Sequence, residues 1–165
     1  MQIMRFKESD VEEIVSLFYE TIHSVNLKDY TQSEVDAWAP REEKEKKIKS
    51  WIVSLGQNIS FVAKIDDQVV GFADLTYDGH LDRLYVHKDY QGQGIASVLV
   101  DKLESEAKKL NLFEIDTDAS ITAQPFFVHR GYDTVCSQTV ERKGVKLTNY
   151  KMVKKINGSS PSTLL

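Results

Sequence analysis

The stretch Leu84-Tyr85-Val86-His87-Lys88-Asp89-Tyr90-Gln91-Gly92-Gln93-Gly94-Ile95-Ala96 decides how this chain reads. A strand-like segment runs into a polar loop, the loop carries two glycines two positions apart, and an amphipathic segment starts directly behind them. Ile95, Val98, Leu99, Leu103 and Ala107 recur at helical spacing, which predicts a long helix over 92–110 with one buried stripe, ended by Asn111. The first amides of a helix point outward without partners, and the macrodipole places partial positive charge there. Glycines at 92 and 94 remove side chains, so a phosphate can approach the main chain closely. The same glycines also suit a tight turn that needs positive φ and nothing more. Two familiar phosphate loops are excluded. The dinucleotide fingerprint wants a third glycine where Ser97 stands, and the P-loop wants a Gly-Lys-Ser/Thr triplet that the sequence lacks.

Upstream, the period is that of strands. Ile59, Phe61, Ala63 and Ile65 alternate with Ser60 and Lys64, Asp66-Asp67-Gln68 turns the chain, and Val69–Thr76 and His80–His87 follow across Tyr77-Asp78-Gly79. Turns this short require antiparallel neighbours. Before them come a strand over 2–6 and three helices. Ser9 with Glu12 predicts a capping box for the first, Thr31 with Glu34 for the second, while Pro40 opens the third and Gly56 closes it. Downstream, 113–116 reads as a short strand. Ser120 or Thr122 caps a helix holding Pro125, Phe126 and Phe127 with Gly131 at its end, and strands over 132–141 and 145–154 form a last hairpin. Hairpins mixed with helical crossovers indicate an α+β fold with a mixed, mostly antiparallel twisted sheet and helices on both faces. One domain over 1–154 is expected, with a frayed tail over 155–165.

Composition narrows the class. A formal charge of −4 disfavours long nucleic-acid partners, though it says little about one pocket. No apolar run approaches a membrane span, and the N-terminus lacks the order of a secretory signal, so the expected setting is cytoplasmic. The single cysteine, Cys136, agrees with a reducing compartment and reads as a buried or idle thiol. His23, His80, His87 and His129 show no metal-ligand spacing, so no metal is expected.

Gln91-Gly92-Gln93-Gly94-Ile95-Ala96 resembles the Arg/Gln-x-x-Gly-x-Gly/Ala motif of the Gcn5-related N-acetyltransferases (GNAT), and Leu84-Tyr85-Val86 stands where that family has its splayed fourth strand. Phe126-Phe127-x-x-x-Gly131-Tyr132 is similar to the family's second signature, and the likeness extends over roughly residues 1 to 154. The resemblance implies transfer of an acetyl group from acetyl-CoA to a small-molecule or peptide amine by direct attack on the thioester. The diphosphate would rest on Gln91, Gly92, Gln93, Gly94, Ile95 and Ala96, and the pantetheine arm would pair along Leu84, Tyr85 and Val86, with Phe127 facing the same cleft. For Phe126, plain core is the stronger expectation. His80 and Asp82 alternate onto one face of the strand where a family base often sits, with Asp74 a third candidate. Phe127 replaces the family's usual tyrosine, so Tyr150 is the candidate acid for the leaving thiolate. That replacement also keeps open a catalytically weak acyl-CoA-binding sensor of the same fold. No nucleic acid or membrane partner is expected, and a homodimer is compatible with the reading. Asp29, Glu34, Asp36 and Glu141 hint at a cationic acceptor, with Tyr30 and Trp38 as an aromatic wall.

Overall fold

A computed structural model describes residues 1–157. Seven strands form one sheet: β1 (Gln2–Arg5), β2 (Ile59–Ile65), β3 (Gln68–Leu75), β4 (His80–Val86), β5 (Glu114–Ser120), β6 (Asp133–Arg142) and β7 (Val145–Lys155). Their spatial order is β1-β2-β3-β4-β5-β7-β6, antiparallel throughout except for the parallel β4–β5 pair. Helices α1 (Val11–Ile22), α2 (Gln32–Trp38) and α3 (Lys44–Gln57) precede β2, α4 (Ile95–Lys109) links β4 to β5, and α5 (Gln124–His129) links β5 to β6.

The sheet is apolar on both sides, because β2 and β3 send successive residues into two different cores. Val62, Val69 and Phe72 meet Val15, Phe18 and Ile22 of α1, while Ala63, Val70 and Leu75 meet Leu99 and Leu103 of α4. Burial on both faces is what the near-continuous apolar run of such strands reflects. Gly71 lets α4 sit this close. A Cβ there would lie 2.9 Å from the Ile95 side chain and 3.1 Å from that of Leu99, so the start of α4 is held against the sheet.

Several element ends differ from the sequence reading, each for a local reason. The Ser9–Glu12 box does not form: a 3-10 turn over Glu8–Asp10 leads into α1, and Asp10 accepts from the Lys7 amide at 3.0 Å instead. The Thr31–Glu34 box forms reciprocally, at 2.8 and 3.1 Å. Gly56 lies within the last turn of α3 rather than closing it. Gly92 and Gly94 belong to the loop, and α4 starts at Ile95. The strand expected over 113–116 runs over Glu114–Ser120 instead, held by seven paired positions along β7. Ala123, not Ser120 or Thr122, is the N-cap of α5, and its amide donates to the Ser120 hydroxyl at 3.0 Å. Cys136 is exposed on β6. Of the expected tail, Lys155 still belongs to β7, the Ile156 amide donates to the Phe113 carbonyl at 3.0 Å, and 158–165 lie outside the described residues. Among the described residues no helix is long and apolar enough to cross a membrane.

Candidate active site

The parallel pair β4–β5 holds only two registered positions, His80 with Asp116 and Leu81 with Thr117. The Thr117 hydroxyl donates to the Leu81 carbonyl at 2.8 Å, and beyond that point the strands part. Part of the cause lies on the other edge of β4. Its ladder with β3 runs from Gly71–Val86 to Asp74–Arg83 and then jumps to Leu75–Leu81, so Asp82 is an extra residue bulged out of the strand. The bulge keeps Leu81 and Leu84 on the α4 side of the sheet and leaves Asp82 exposed toward the gap.

Arg83, next to the bulge, is held from behind. Its Nη2 lies 3.0 Å from the buried Asp74 carboxylate, 3.0 Å from the Ser54 hydroxyl and 3.2 Å from Asp82, and its guanidinium stacks 4.8 Å from the Trp51 ring centre. Asp74 also accepts from the Asn58 amide at 2.9 Å. Burial pushes the Asp74 carboxyl up to about 6, against the opposing pull of Arg83. Asp74 lines neither cavity described below, so the sequence candidate for a base is a buried anchor of the bulge.

The parting strands open a cleft of about 450 Å³. Its walls are Leu81–Val86 of β4 and Thr117–Ser120 of β5, and its far end is Gln91, Gly92 and the Gly94–Ser97 start of α4. There the main chain is exposed for a reason. Gly92 and Gly94 have φ of +72° and +81°, and a Cβ built on either finds no atom within 4 Å. The first turn of α4 carries no acidic side chain. The Gln91 side-chain amide donates to the Val86 carbonyl at 2.6 Å, tying the loop to the end of β4. This corner therefore offers outward amides, positive helix-end potential and open space, the combination that binds an anion.

A second cavity of about 220 Å³ adjoins the first on the α2 side of the sheet. Tyr30, Trp38 and Tyr85 give it an aromatic wall, and His80, Asp82 and Asp118 give it a polar end. Asp82 and Asp118 line both cavities, so the two meet at these carboxylates. Tyr30 is fixed by two hydrogen bonds, donating to the Thr148 carbonyl at 2.7 Å and accepting from the Ile121 amide at 2.9 Å. Burial raises the Tyr30 and Tyr85 hydroxyls above their ordinary range, keeping both neutral.

Most of the residues singled out from sequence gather here. Leu84, Tyr85, Val86, Gln91, Gly92, Gly94, Ile95 and Ala96 line the cleft, and Gln93 does not. Phe127 reaches the cleft wall but is 2% exposed and packs edge-on against Tyr132, whereas Phe126, expected to be core, is the less buried of the two. Tyr150 lines neither cavity; it packs against the core on the α4 side of the sheet. Asp29 accepts from the Thr122 hydroxyl, Glu34 caps α2, Asp36 accepts from Gln32, and none of them, nor Glu141, lines the second cavity. Arg130 pairs with Asp101 of α4. Sequence reasoning misses Asp116 and Asp118: their i, i+2 spacing is the available signal, but the strand read from sequence ends at 116, short of Asp118.

Comparison with known proteins agrees with this arrangement. A family model described as an acetyltransferase (GNAT) domain matches residues 26–154. An uncharacterized N-acetyltransferase of Escherichia coli K12, YafP, is 32% identical over 153 residues, which make up 92% of this chain and 94% of the relative. The crystal structure of a GCN5-related N-acetyltransferase from Rhodopseudomonas palustris superposes with a TM-score of 0.87 at 29% identity, covering 93% of this chain and 94% of that one. PaiA N-acetyltransferase from Thermoplasma acidophilum, solved in complex with coenzyme A, shares the fold with a TM-score of 0.72 at 20% identity, over 93% of this chain and 98% of its own. With a strand pair splayed at a bulge, a glycine loop opening a helix at its far end, and a family match over most of its length, the chain belongs to the Gcn5-related N-acetyltransferase family.

Proposed function

We propose that the protein moves an acetyl group from acetyl-CoA to an amine that enters as an ammonium ion. The observation that carries this reading is the joined pair of cavities. One runs from the anion-binding corner at Gly92–Ala96 along the free edge of β4, and the other ends on His80, Asp82 and Asp118. The residues fit acetyl-CoA as co-substrate. The space beside Gly92 and Gly94 suits a diphosphate on the α4 amides, and the main-chain groups of Leu84 and Val86 suit an extended amide-bearing arm. Acetyl-CoA supplies a thioester carbonyl open to attack. What the chain supplies is proximity at the mouth between the cavities, and groups that take up a proton from the ammonium. His80 and Asp82 are those groups in our reading. Tyr30, Trp38 and Tyr85 would hold the apolar body of a small-molecule or peptide amine. The exposed thiol of Cys136 is in keeping with a reducing, cytoplasmic setting.

Calorimetric titration with acetyl-CoA, followed by thiol release with a panel of primary amines, tests the proposal. Binding without thiol release from any amine would leave the acyl-CoA sensor in its place, and no binding of CoA or its thioesters would remove both.

A further inference from the structure

Resting on that reading, we infer that Asp116 is a positioning residue, which fixes His80 in the one tautomer able to take the proton from the acceptor. Parallel β4 and β5 are in register at only two positions before the gap, and at the first of them the side chains of His80 and Asp116 meet. Nδ1 of His80 lies 3.0 Å from Asp116 Oδ1. A carboxylate only accepts, so this contact places hydrogen on Nδ1 and leaves the Nε2 lone pair bare. Nε2 points the other way, toward Asp82 and Asp118, at 3.9 Å from each. Those two distances exceed a hydrogen bond, so neither carboxylate occupies Nε2. Both carboxylates line both cavities, and His80 lines the second. An ammonium seated there faces a free lone pair on one side and two acceptors on the others.

The surroundings of the imidazole agree. From β4 it faces Asp82, and from β5 Asp116 and Asp118, while Arg142 at the end of β6 is a further charged group lining the same cavity. Asp118 is itself held in place, accepting from the Gln138 amide at 2.7 Å. Asp116, by contrast, touches no other hydrogen-bonding side chain among the described residues, so its one side-chain contact is the imidazole.

The acceptor arrives as R–NH3+, and one proton passes from its nitrogen to Nε2, which makes His80 an imidazolium facing Asp116. The freed lone pair forms the C–N bond at the thioester carbonyl, and the C–S bond breaks with its electron pair leaving on sulfur. A second proton from the same nitrogen ends on the thiolate, and the imidazolium returns the first to water. The products are the amide, free thiol and one proton.

Asp116→Asn is the decisive change, because its NH2 can donate to Nδ1 and so hold the hydrogen on Nε2, the wrong tautomer. With wild-type turnover established on one amine, kcat of D116N should fall on the order of 100-fold or more, the scale of lost general-base catalysis. The KM for acetyl-CoA and the melting temperature should stay put, since Asp116 is 41% exposed and loses no buried partner. His80→Gln should cost as much, and the double variant no more than either, as for residues that act as one unit. Near-normal kcat in D116N, or losses that multiply in the double variant, overturns the inference while leaving acetyl transfer intact. Nitrogen NMR of the wild-type protein provides a check that does not depend on variant folding. Neutral His80 should carry its hydrogen on Nδ1, and an Nε2–H form overturns the assignment.

Discussion

Replacing Gly94 by alanine separates what the loop does for folding from what it does for binding. Gly94 has φ of +81°, a left-handed conformation that costs an L side chain roughly 1–2 kcal/mol. Nothing else in the fold resists the change, because the new Cβ meets no atom within 4 Å. For a chain of this size that cost corresponds to a fall in melting temperature of about 2–8 °C. The space the methyl group fills is the open corner at the start of α4, where a phosphate oxygen would accept from the main chain. Losing one such charge-assisted hydrogen bond costs about 1.5–3 kcal/mol, or roughly 10- to 150-fold in Kd. Gly131→Ala is the matched control. Its φ is +88°, its Cβ would only touch Lys154 at 3.7 Å, and it lines neither cavity. Calorimetry with CoA and thermal melts on both variants should show similar destabilisation, with weakened binding in Gly94→Ala alone. Equal affinity in both would show that the anion sits elsewhere, and the proposed function would lose its support.

Asp74 gives a pH signature. Its carboxyl is raised to about 6 by burial, so the protonated native form is favoured: its contribution to stability is full below about 4 and is lost as pH rises through 6. The difference in melting temperature between wild type and Asp74→Asn should shift against the wild type over that window, by a span of about 3 kcal/mol; a flat difference refutes it. Tyr132→Phe breaks the 2.9 Å hydrogen bond to the buried Glu104, which keeps Lys154 at 2.9 Å. It should cost ~1–3 kcal/mol in chemical denaturation and leave kcat alone. Tyr30→Phe, which loses both the Thr148 and Ile121 contacts, should raise the acceptor KM while CoA affinity holds. Tyr150→Phe should leave steady-state kinetics unchanged, since that ring lines neither cavity.

Element order was legible in the sequence because it rests on local period. Hairpin turns and the stripe from Ile95 to Ala107 each need only neighbouring residues to read. The candidate site was legible where main chain does the binding, since glycines at 92 and 94 signal exposed amides. It was not legible where strands face the gap. Asp116 and Asp118 alternate with Thr117 and Ala119, and polar residues on both sides of a strand read as the end of one. The bulge at Asp82 is a property of register between β3 and β4, which no single segment encodes. Tyr30 reaches main-chain partners 118 and 91 residues away, so its role exists only once the chain has folded.

The divergence of β4 from β5 also bears on solubility. Unpaired strand edges invite other chains to add to them, and natural proteins shield them. Here the edge of β4 that is left without a partner strand past Leu81 lies in the middle of a seven-stranded sheet, flanked on both sides by strands of the same molecule. Neighbouring strands stand about 4.7–4.9 Å apart, so such a slot admits one slender, extended guest and turns away the broad face of another sheet. The chain can thus keep a sticky stretch of backbone permanently exposed to a ligand without exposing it to aggregation.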